Sequence, residues 1–127
     1  AKICNNMILG ISMIAVSESY SMAKKLGLDA QTLFNITSSS SSQCWAMTSY
    51  LPVPGPVPSS PANNDYQPGF TAAMMAKDMK LAEDAAASVG QNVDLATNAL
   101  KIYQKYLGEG GASKDFSGVF TMICKSD

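Results

Sequence analysis

The chain has 127 residues, of which 46% are hydrophobic and 15% are charged, and its formal net charge is −1. This length is enough for one domain with its own core. The charged fraction is low beside the roughly 25% of typical soluble domains, so we expect another domain or subunit to cover part of the surface. All nine cationic side chains are lysines, and the lack of arginine as a bidentate reader of phosphates and bases argues against nucleic-acid binding.

Cysteine and histidine usage limits the chemistry further. Cys4, Cys44 and Cys124 are odd in number, far apart and not arranged as CxxC, and the chain has no histidine. Neither a metal site nor a disulfide framework is therefore expected, and a reducing compartment is the natural setting. A histidine-based triad is excluded within this chain, which leaves lysine, carboxylates, tyrosine and cysteine as candidates for catalysis.

The first predicted helix covers residues 1–26. It contains no proline, and two lysines followed by Gly27 are typical of a helix end. Residues 7–16 are apolar on nearly every side, which predicts a helix buried all round and central to the domain. The run is shorter than the roughly 20 residues that span a bilayer, so no membrane association is expected. A signal peptide is the less favoured alternative to Ala1 being an internal position of a longer protein.

Polar side chains interrupt this apolar helix in its first turn. Lys2 and Asn6 are four residues apart and Asn5 lies beside them, so an ammonium and two amides are predicted to share one face. One interpretation is a small polar site at the end of a buried helix. The alternative, which the spacing alone favours, is an exposed terminal lysine followed by asparagines that cap the helix.

Five further helices are predicted, and no stretch shows the two-residue alternation of a strand, so the predicted fold class is all-α. The architecture we expect is a helical bundle around the long first helix. The only tryptophan, Trp45, is expected to pack against the core, with a pocket wall as the less favoured alternative. The further helices are predicted to begin at or near the following positions: Asp29, Cys44, Thr71, Asp94 and, for the last helix, Ser113 to Asp115. Asp29, Thr71 and Asp94 are predicted to act as N-caps.

All six prolines lie between residues 51 and 70. Proline sustains neither a helix nor a central strand, so this segment is predicted to be a long loop with some order. Compact domains seldom keep so long a loop without a use, and such loops often cover a binding site or a subunit contact.

Five stretches, in this order, resemble the C-terminal domain of the β-hydroxyacid dehydrogenases: AKICNNM, SSQCW, YLPVPG, PANNDYQPGF and MAKDMKLA. K-x-x-N-N alone is a weak signal, but the ordered set is specific, and within the family it is most similar to the 3-hydroxyisobutyrate dehydrogenases over residues 1–120. The resemblance implies that residues 1–127 are a helical substrate and dimerisation domain, like the C-terminal domain of 6-phosphogluconate dehydrogenase-type enzymes. The Rossmann domain that this family places before it is absent from this chain.

The resemblance also implies an activity, the NAD-dependent oxidation of 3-hydroxyisobutyrate to methylmalonate semialdehyde in valine breakdown. NAD would be bound mainly by the absent Rossmann domain, so the 127 residues alone are expected to be inactive. The implied partners are a small hydroxy acid, that Rossmann domain and a second copy in a homo-oligomer. The implied compartment is the mitochondrial matrix in a eukaryote and the cytoplasm in a bacterium.

Two alternatives stay open at this point. One is another β-hydroxyacid dehydrogenase, acting on tartronate semialdehyde, glyoxylate or succinic semialdehyde. The other is a non-catalytic helical dimerisation module, for which the low charge and the apolar first helix would suffice.

The resemblance assigns roles to six residues. Lys2 matches the family's catalytic lysine, and Lys77 matches a lysine that reaches the cofactor. Loss of hydride from a primary alcohol carbon needs a group that takes the hydroxyl proton, and a lysine can do so once burial lowers its pKa. We expect the helical bundle to supply that burial. The substrate-binding candidates are Asn5, Asn6, Phe70 and Asp78.

Overall fold

The structure is a computed structural model that describes residues 1–125. In that part of the chain six α-helices and no strand are present, so the predicted all-α class is confirmed. Short turns of other helix types lie at Pro61–Asn64, Leu107–Gly111 and Phe116–Gly118. The α-helices are α1, Lys2–Lys25; α2, Ala30–Thr37; α3, Trp45–Thr48; α4, Ala72–Ser88; α5, Asp94–Tyr106; and α6, Val119–Lys125.

α1 is the axis of the bundle, because it contacts each of the other five α-helices. The prediction that it is buried on all sides is wrong, since Ile8 is 64% exposed and Ala15 and Met22 are also exposed. The other helices cover only part of its circumference, and apolar residues on the remaining side face solvent. The buried face of α1 carries Gly10, Met13, Ile14, Val16 and Tyr20.

α4 packs closely against α1 and runs antiparallel to it, since the start of α1 lies beside the end of α4. Gly10 of α1 makes the close approach possible. A Cβ atom there would lie 2.7 Å from Met79 Sδ and 3.1 Å from Met75 Sδ, and both methionines are fully buried. The missing side chain therefore sets the distance between the two helices.

The helix starts follow the predicted caps with one exception. Asp29 and Thr71 each accept a hydrogen bond, at 3.1 Å, from the backbone N–H three residues further on. The prediction that Asp94 is an N-cap is wrong, because Val93 occupies the capping position and Asp94 is the first residue of α5. The Asp94 carboxylate accepts instead from the side-chain amide of Asn92 at 3.2 Å.

The proline-rich segment 51–70 is an ordered loop, as predicted. Leu51 and Val57 belong to the hydrophobic core. The Tyr66 hydroxyl donates to the Pro52 carbonyl at 2.7 Å, which ties the two ends of the loop together. The loop therefore packs against the helical bundle and contributes side chains to its core.

Two further properties bear on the site. Within residues 1–125 the three cysteines are free thiols, and no three His, Cys, Asp or Glu side chains are grouped as a metal site. None of the helices in the same range combines the length and hydropathy needed to cross a membrane.

Candidate active site

The first turn of α1 and the middle of α4 meet through a short chain of hydrogen bonds. Asn5 Nδ2 donates to Asn6 Oδ1 at 3.1 Å, and Asn6 Nδ2 donates to Asp78 Oδ2 at 2.7 Å. Asn6 is only 8% exposed and Asp78 is half-buried. Because the acceptor is a carboxylate, the hydrogen bond is of the stronger, charge-assisted kind. The capping alternative for the asparagines is wrong, because α1 starts after Ala1 without a side-chain cap.

The two lysines with predicted roles are exposed on the same two helices. Lys2 is one turn before Asn6 on α1, and Lys77 directly precedes Asp78 on α4. Within residues 1–125 neither ammonium group makes a hydrogen bond or an ion pair. The expectation that the bundle buries Lys2 is wrong, because the first turn of α1 lies at the edge of the bundle and residues 1–5 are all exposed.

An open cleft of about 470 Å³ lies beside this polar group, between α1 and α3. Asn5 belongs to both, because its side chain lines the cleft and also donates to Asn6. The other predicted site residues do not line the cleft. Its walls are formed by Asn5, Ile8, Leu9 and Ser12 of α1 and by Cys44, Trp45 and Ala46 at the start of α3.

Trp45 forms the α3 wall of this cleft. Its side chain is 51% exposed, so the predicted core packing is wrong and the pocket-wall alternative is confirmed. The reason is the length of α3, which is a single turn whose buried positions are taken by Ala46 and Met47. The Trp45 ring stacks on Tyr50, with 4.8 Å between ring centroids and 22° between ring planes.

Phe70 lies behind the cleft and does not line it. Its half-buried ring packs edge-on against Phe116, with the centroids 5.8 Å apart, and Phe116 in turn stacks on Tyr50 at 5.4 Å. Two aromatic rings, Phe116 and Tyr50, therefore lie between Phe70 and Trp45.

Asp115 is a residue of this region that the sequence reasoning missed. It was predicted only as part of a helix start, and it does cap the turn at Phe116–Gly118 by accepting from the Ser117 N–H. Its carboxylate also accepts from the Tyr50 hydroxyl, 65 positions away along the chain. Burial raises the pKa of Tyr50, and the hydrogen bond to Asp115 and the charge of Asp115 raise it further. No local pattern signals a partner at that distance.

The fold and the site together define a helical domain with an open, partly apolar cleft and an uncovered polar group at the start of its central helix. The chain belongs to the family described as NAD-binding of NADP-dependent 3-hydroxyisobutyrate dehydrogenase, whose model matches residues 1–123.

Several curated relatives match 97–100% of the chain. It is 47% identical over 128 residues to the probable 3-hydroxyisobutyrate dehydrogenase of Mycobacterium tuberculosis strain H37Rv, covering 100% of this chain and 43% of that protein. It is 46% identical over 125 residues to the mitochondrial 3-hydroxyisobutyrate dehydrogenase of Drosophila melanogaster, and 44% identical over 123 residues to the human mitochondrial protein. These matches cover 98% and 97% of this chain and 39% and 37% of those relatives, so the chain spans less than half of their length.

Solved structures agree with this assignment. The structure of Mycobacterium tuberculosis 3-hydroxyisobutyrate dehydrogenase with L-serine matches with a TM-score of 0.93 and 47% identity, over 97% of this chain and 42% of that one. A 3-hydroxyisobutyrate dehydrogenase structure from Salmonella typhimurium matches with a TM-score of 0.81 at 20% identity, over 95% of this chain and 40% of that one, which shows the fold alone.

Proposed function

We propose that this chain is the C-terminal helical domain of an NAD-dependent 3-hydroxyisobutyrate dehydrogenase and that it supplies the catalytic lysine, Lys2. The observation that carries the proposal is the position of Lys2, one helical turn before the partly buried Asn6–Asp78 hydrogen bond. Relatives that bear this enzyme's name align with the chain from end to end at 44–47% identity.

In this proposal Lys2 takes the hydroxyl proton of the substrate. Asp78 fixes the side-chain amide of Asn6, because the carboxylate accepts from one of its N–H groups. The second N–H of that amide is then available to hold the hydroxyl or the carboxylate of the acid without adding charge. The nicotinamide of NAD supplies the hydride acceptor when it is bound.

The other predicted site residues have supporting roles in this proposal. Asn5 holds Asn6 and faces the cleft, and the exposed edge of Phe70 is a substrate contact. Lys77 is exposed beside Asp78 and makes no ion pair within residues 1–125, which suits a group that contacts the cofactor.

The residues of this chain do not form the main binding site for NAD. The sequence contains no GxGxxG, and residues 1–125 contain no strand from which such a phosphate-binding loop would lead into a helix. We therefore propose that a Rossmann domain outside these 127 residues holds the dinucleotide and covers Lys2, which supplies the burial that the bundle does not.

The test is carried out in a full-length enzyme that contains this domain. Lys2→Ala is expected to lower kcat by orders of magnitude, since general acid–base groups contribute roughly 10²–10⁴-fold. Lys101→Ala, which removes an exposed lysine from α5, is the matched control and should leave kcat within about twofold. An unchanged kcat in Lys2→Ala would remove the assigned role.

The substrate is tested with the same enzyme. Initial rates on 3-hydroxyisobutyrate are compared with the corresponding rates in the tartronate semialdehyde, glyoxylate and succinic semialdehyde reactions, and we expect the highest kcat/KM with 3-hydroxyisobutyrate. The isolated 127 residues should produce no NADH, and appreciable production would contradict the division of labour proposed here.

We also propose that the domain self-associates through the face formed by α1, α5 and α6. Leu95 is 69% exposed there, and Glu18 of α1 lies at the junction of three shallow grooves. Glu18 and Lys105 line one of these grooves without forming an ion pair within residues 1–125. In a two-fold arrangement each Glu18 pairs with Lys105 of the second copy.

Sedimentation of the full-length protein tests this second proposal. Leu95→Glu is expected to shift the dimer towards the monomer, whereas Val89→Glu, at an exposed apolar position that lines none of the three grooves, should not. Equal sedimentation of the wild type and Leu95→Glu would exclude this face.

Eukaryotic relatives are named mitochondrial, and the bacterial ones are not. We accordingly propose a place in valine catabolism for this protein, in the mitochondrial matrix for a eukaryotic source and in the cytoplasm for a bacterial one. Fractionation of the source organism tests the compartment.

A further inference from the structure

The Asp115 carboxylate is fully buried and accepts five hydrogen bonds. Its Oδ1 accepts from the Tyr50 hydroxyl at 2.7 Å and from the backbone N–H groups of Gly69 and Phe70 at 2.9 and 3.1 Å. Its Oδ2 accepts from Ser117 twice, through the backbone N–H at 3.0 Å and through the hydroxyl. One side chain thus joins the segment directly after α3, the end of the proline-rich loop and the turn before α6.

This buried acid has no cationic partner within residues 1–125. A buried carboxylate is tolerated only when hydrogen-bond donors replace the water that it has lost. Each of the donors is therefore strongly held, because moving any one of them away leaves part of the charge unsolvated. Among these donors, the Tyr50 hydroxyl belongs to the residue whose ring stacks on Trp45 in the cleft wall.

Gly69 makes room for this hydroxyl. A Cβ atom at Gly69 would lie only 2.7 Å from Tyr50 Oη and 3.8 Å from Asp115 Oδ1. The Tyr50 ring is also held between two other rings, Phe116 on one side and Trp45 on the other. Its position is therefore determined by a hydrogen bond at one end and by stacking along its faces.

We propose that Asp115 is a positioning residue for the cleft, which holds the Tyr50 hydroxyl and through the Tyr50 ring sets Trp45 in place opposite Asn5. Trp45 is half exposed on a helix of one turn, so its stack on Tyr50 is the main restraint on its orientation. The consequence for substrate binding rests on the proposed function, in which this cleft lies beside the reacting group. The positioning of Trp45 by Asp115 does not depend on the proposed function.

The first test reads the position of Trp45 directly, because it is the only tryptophan of the 127-residue chain. Tyr50→Phe removes the hydrogen bond to Asp115 and keeps the ring. We expect quenching of Trp45 fluorescence by acrylamide to rise about twofold and the emission to shift to longer wavelength. Asp115→Asn should act in the same direction, and Tyr50→Phe keeps the test valid if that variant does not fold.

Two matched variants separate positioning from a general loss of stability. Tyr103→Phe removes a buried hydroxyl that lies near the Asp115 carboxylate. This hydroxyl has no hydrogen-bond partner within residues 1–125. Ser117→Ala removes a donor from Oδ2, on the side away from the cleft. Both should leave the quenching of Trp45 as in the wild type. Wild-type quenching in Tyr50→Phe, or an equal increase in Ser117→Ala, would overturn the proposal.

The second test measures kinetics in the full-length enzyme. Tyr50→Phe is expected to raise KM for 3-hydroxyisobutyrate about fivefold and to leave kcat within about twofold, whereas Ser117→Ala should change neither. A fall in kcat with unchanged KM would overturn the positioning role in substrate binding. If the wild-type enzyme does not oxidise 3-hydroxyisobutyrate, the proposed function fails, and the fluorescence test still decides whether Asp115 positions Trp45.

Discussion

The side chains of Asn6 and Asp78 are joined by a 2.7 Å hydrogen bond although they are 72 positions apart in the chain. Asn6 lies one turn after the start of α1 and Asp78 lies in the middle of α4, so this bond fixes how the two helices are aligned beside Lys2. It is partly shielded from water, since Asn6 is buried and Asp78 is half-buried.

Exchanging the two groups should preserve this bond. Asn6→Asp places two carboxylates side by side and Asp78→Asn removes the charged acceptor, so each is expected to lower the unfolding free energy by about 1–3 kcal/mol. The double variant Asn6→Asp with Asp78→Asn restores an amide–carboxylate pair and should recover most of the loss. Urea unfolding of the four proteins gives the coupling energy. Strictly additive losses would show that the bond contributes nothing to stability.

The close contact at Gly10 predicts intolerance of a side chain there. Gly10→Val brings carbon atoms into the space occupied by Met75 and Met79 and should lower the unfolding free energy by about 1–3 kcal/mol, as overpacking does. Ala15→Val is the control, since Ala15 lies on the exposed side of the same helix and the change should cost less than about 0.5 kcal/mol. Thermal unfolding distinguishes the two, and equal midpoints would contradict the close approach.

Buried tyrosines predict a loss of stability in alkali. Burial raises the pKa of Tyr103 well above its usual value of about 10, and the charge of Asp115 adds to this. A group whose pKa is higher in the folded state contributes stability that is complete below pH 10 and is lost as the pH rises towards the folded value. The expected slope is up to about 1.4 kcal/mol per pH unit for this tyrosine.

Tyr103→Phe tests this dependence. Because the Tyr103 hydroxyl has no hydrogen-bond partner within residues 1–125, the variant should be at least as stable as the wild type at pH 8. Its unfolding free energy between pH 10 and 11 should fall less steeply. Parallel curves for the two proteins would show that Tyr103 does not contribute to the alkaline transition.

The cap of α4 predicts a smaller effect. Thr71→Ala removes the oxygen that accepts from the Met74 N–H and should cost about 1 kcal/mol, whereas Thr71→Ser keeps the oxygen and should cost a few tenths. Urea unfolding measures both values, and equal losses would assign the effect to the methyl group of Thr71 instead of the cap.

Features set by neighbouring residues in the chain were predicted well. The all-α class, the helix starts at Asp29 and Thr71 and the ordered proline-rich loop depend on periodicity, caps and proline content, which a sequence displays directly. The meeting of Asn5 and Asn6 on one helix turn is likewise local.

Features set by distant partners were not predictable in the same way. The apolar pattern on α1 predicts that its surface is buried, but it does not show whether a helix of this chain or another domain or subunit buries it. The exposure of Ile8 was therefore not predicted. Trp45 was assigned to the core because its size favours burial, yet a one-turn helix left its ring at the surface. Apart from the nearby Ser117, the partners of Asp115 lie 45 to 65 positions away, and nothing beside it in the sequence indicates them.

The separation of Asn6 from Asp78 along the chain has a consequence for folding kinetics. Helices form locally and early, but a contact between residues so distant requires a long loop to close, which costs entropy and slows the step. A chain with α1 already helical and α4 not yet docked has no aligned amide and carboxylate at all. Competence to bind should therefore appear after the helical signal in a refolding experiment, with the last docking event.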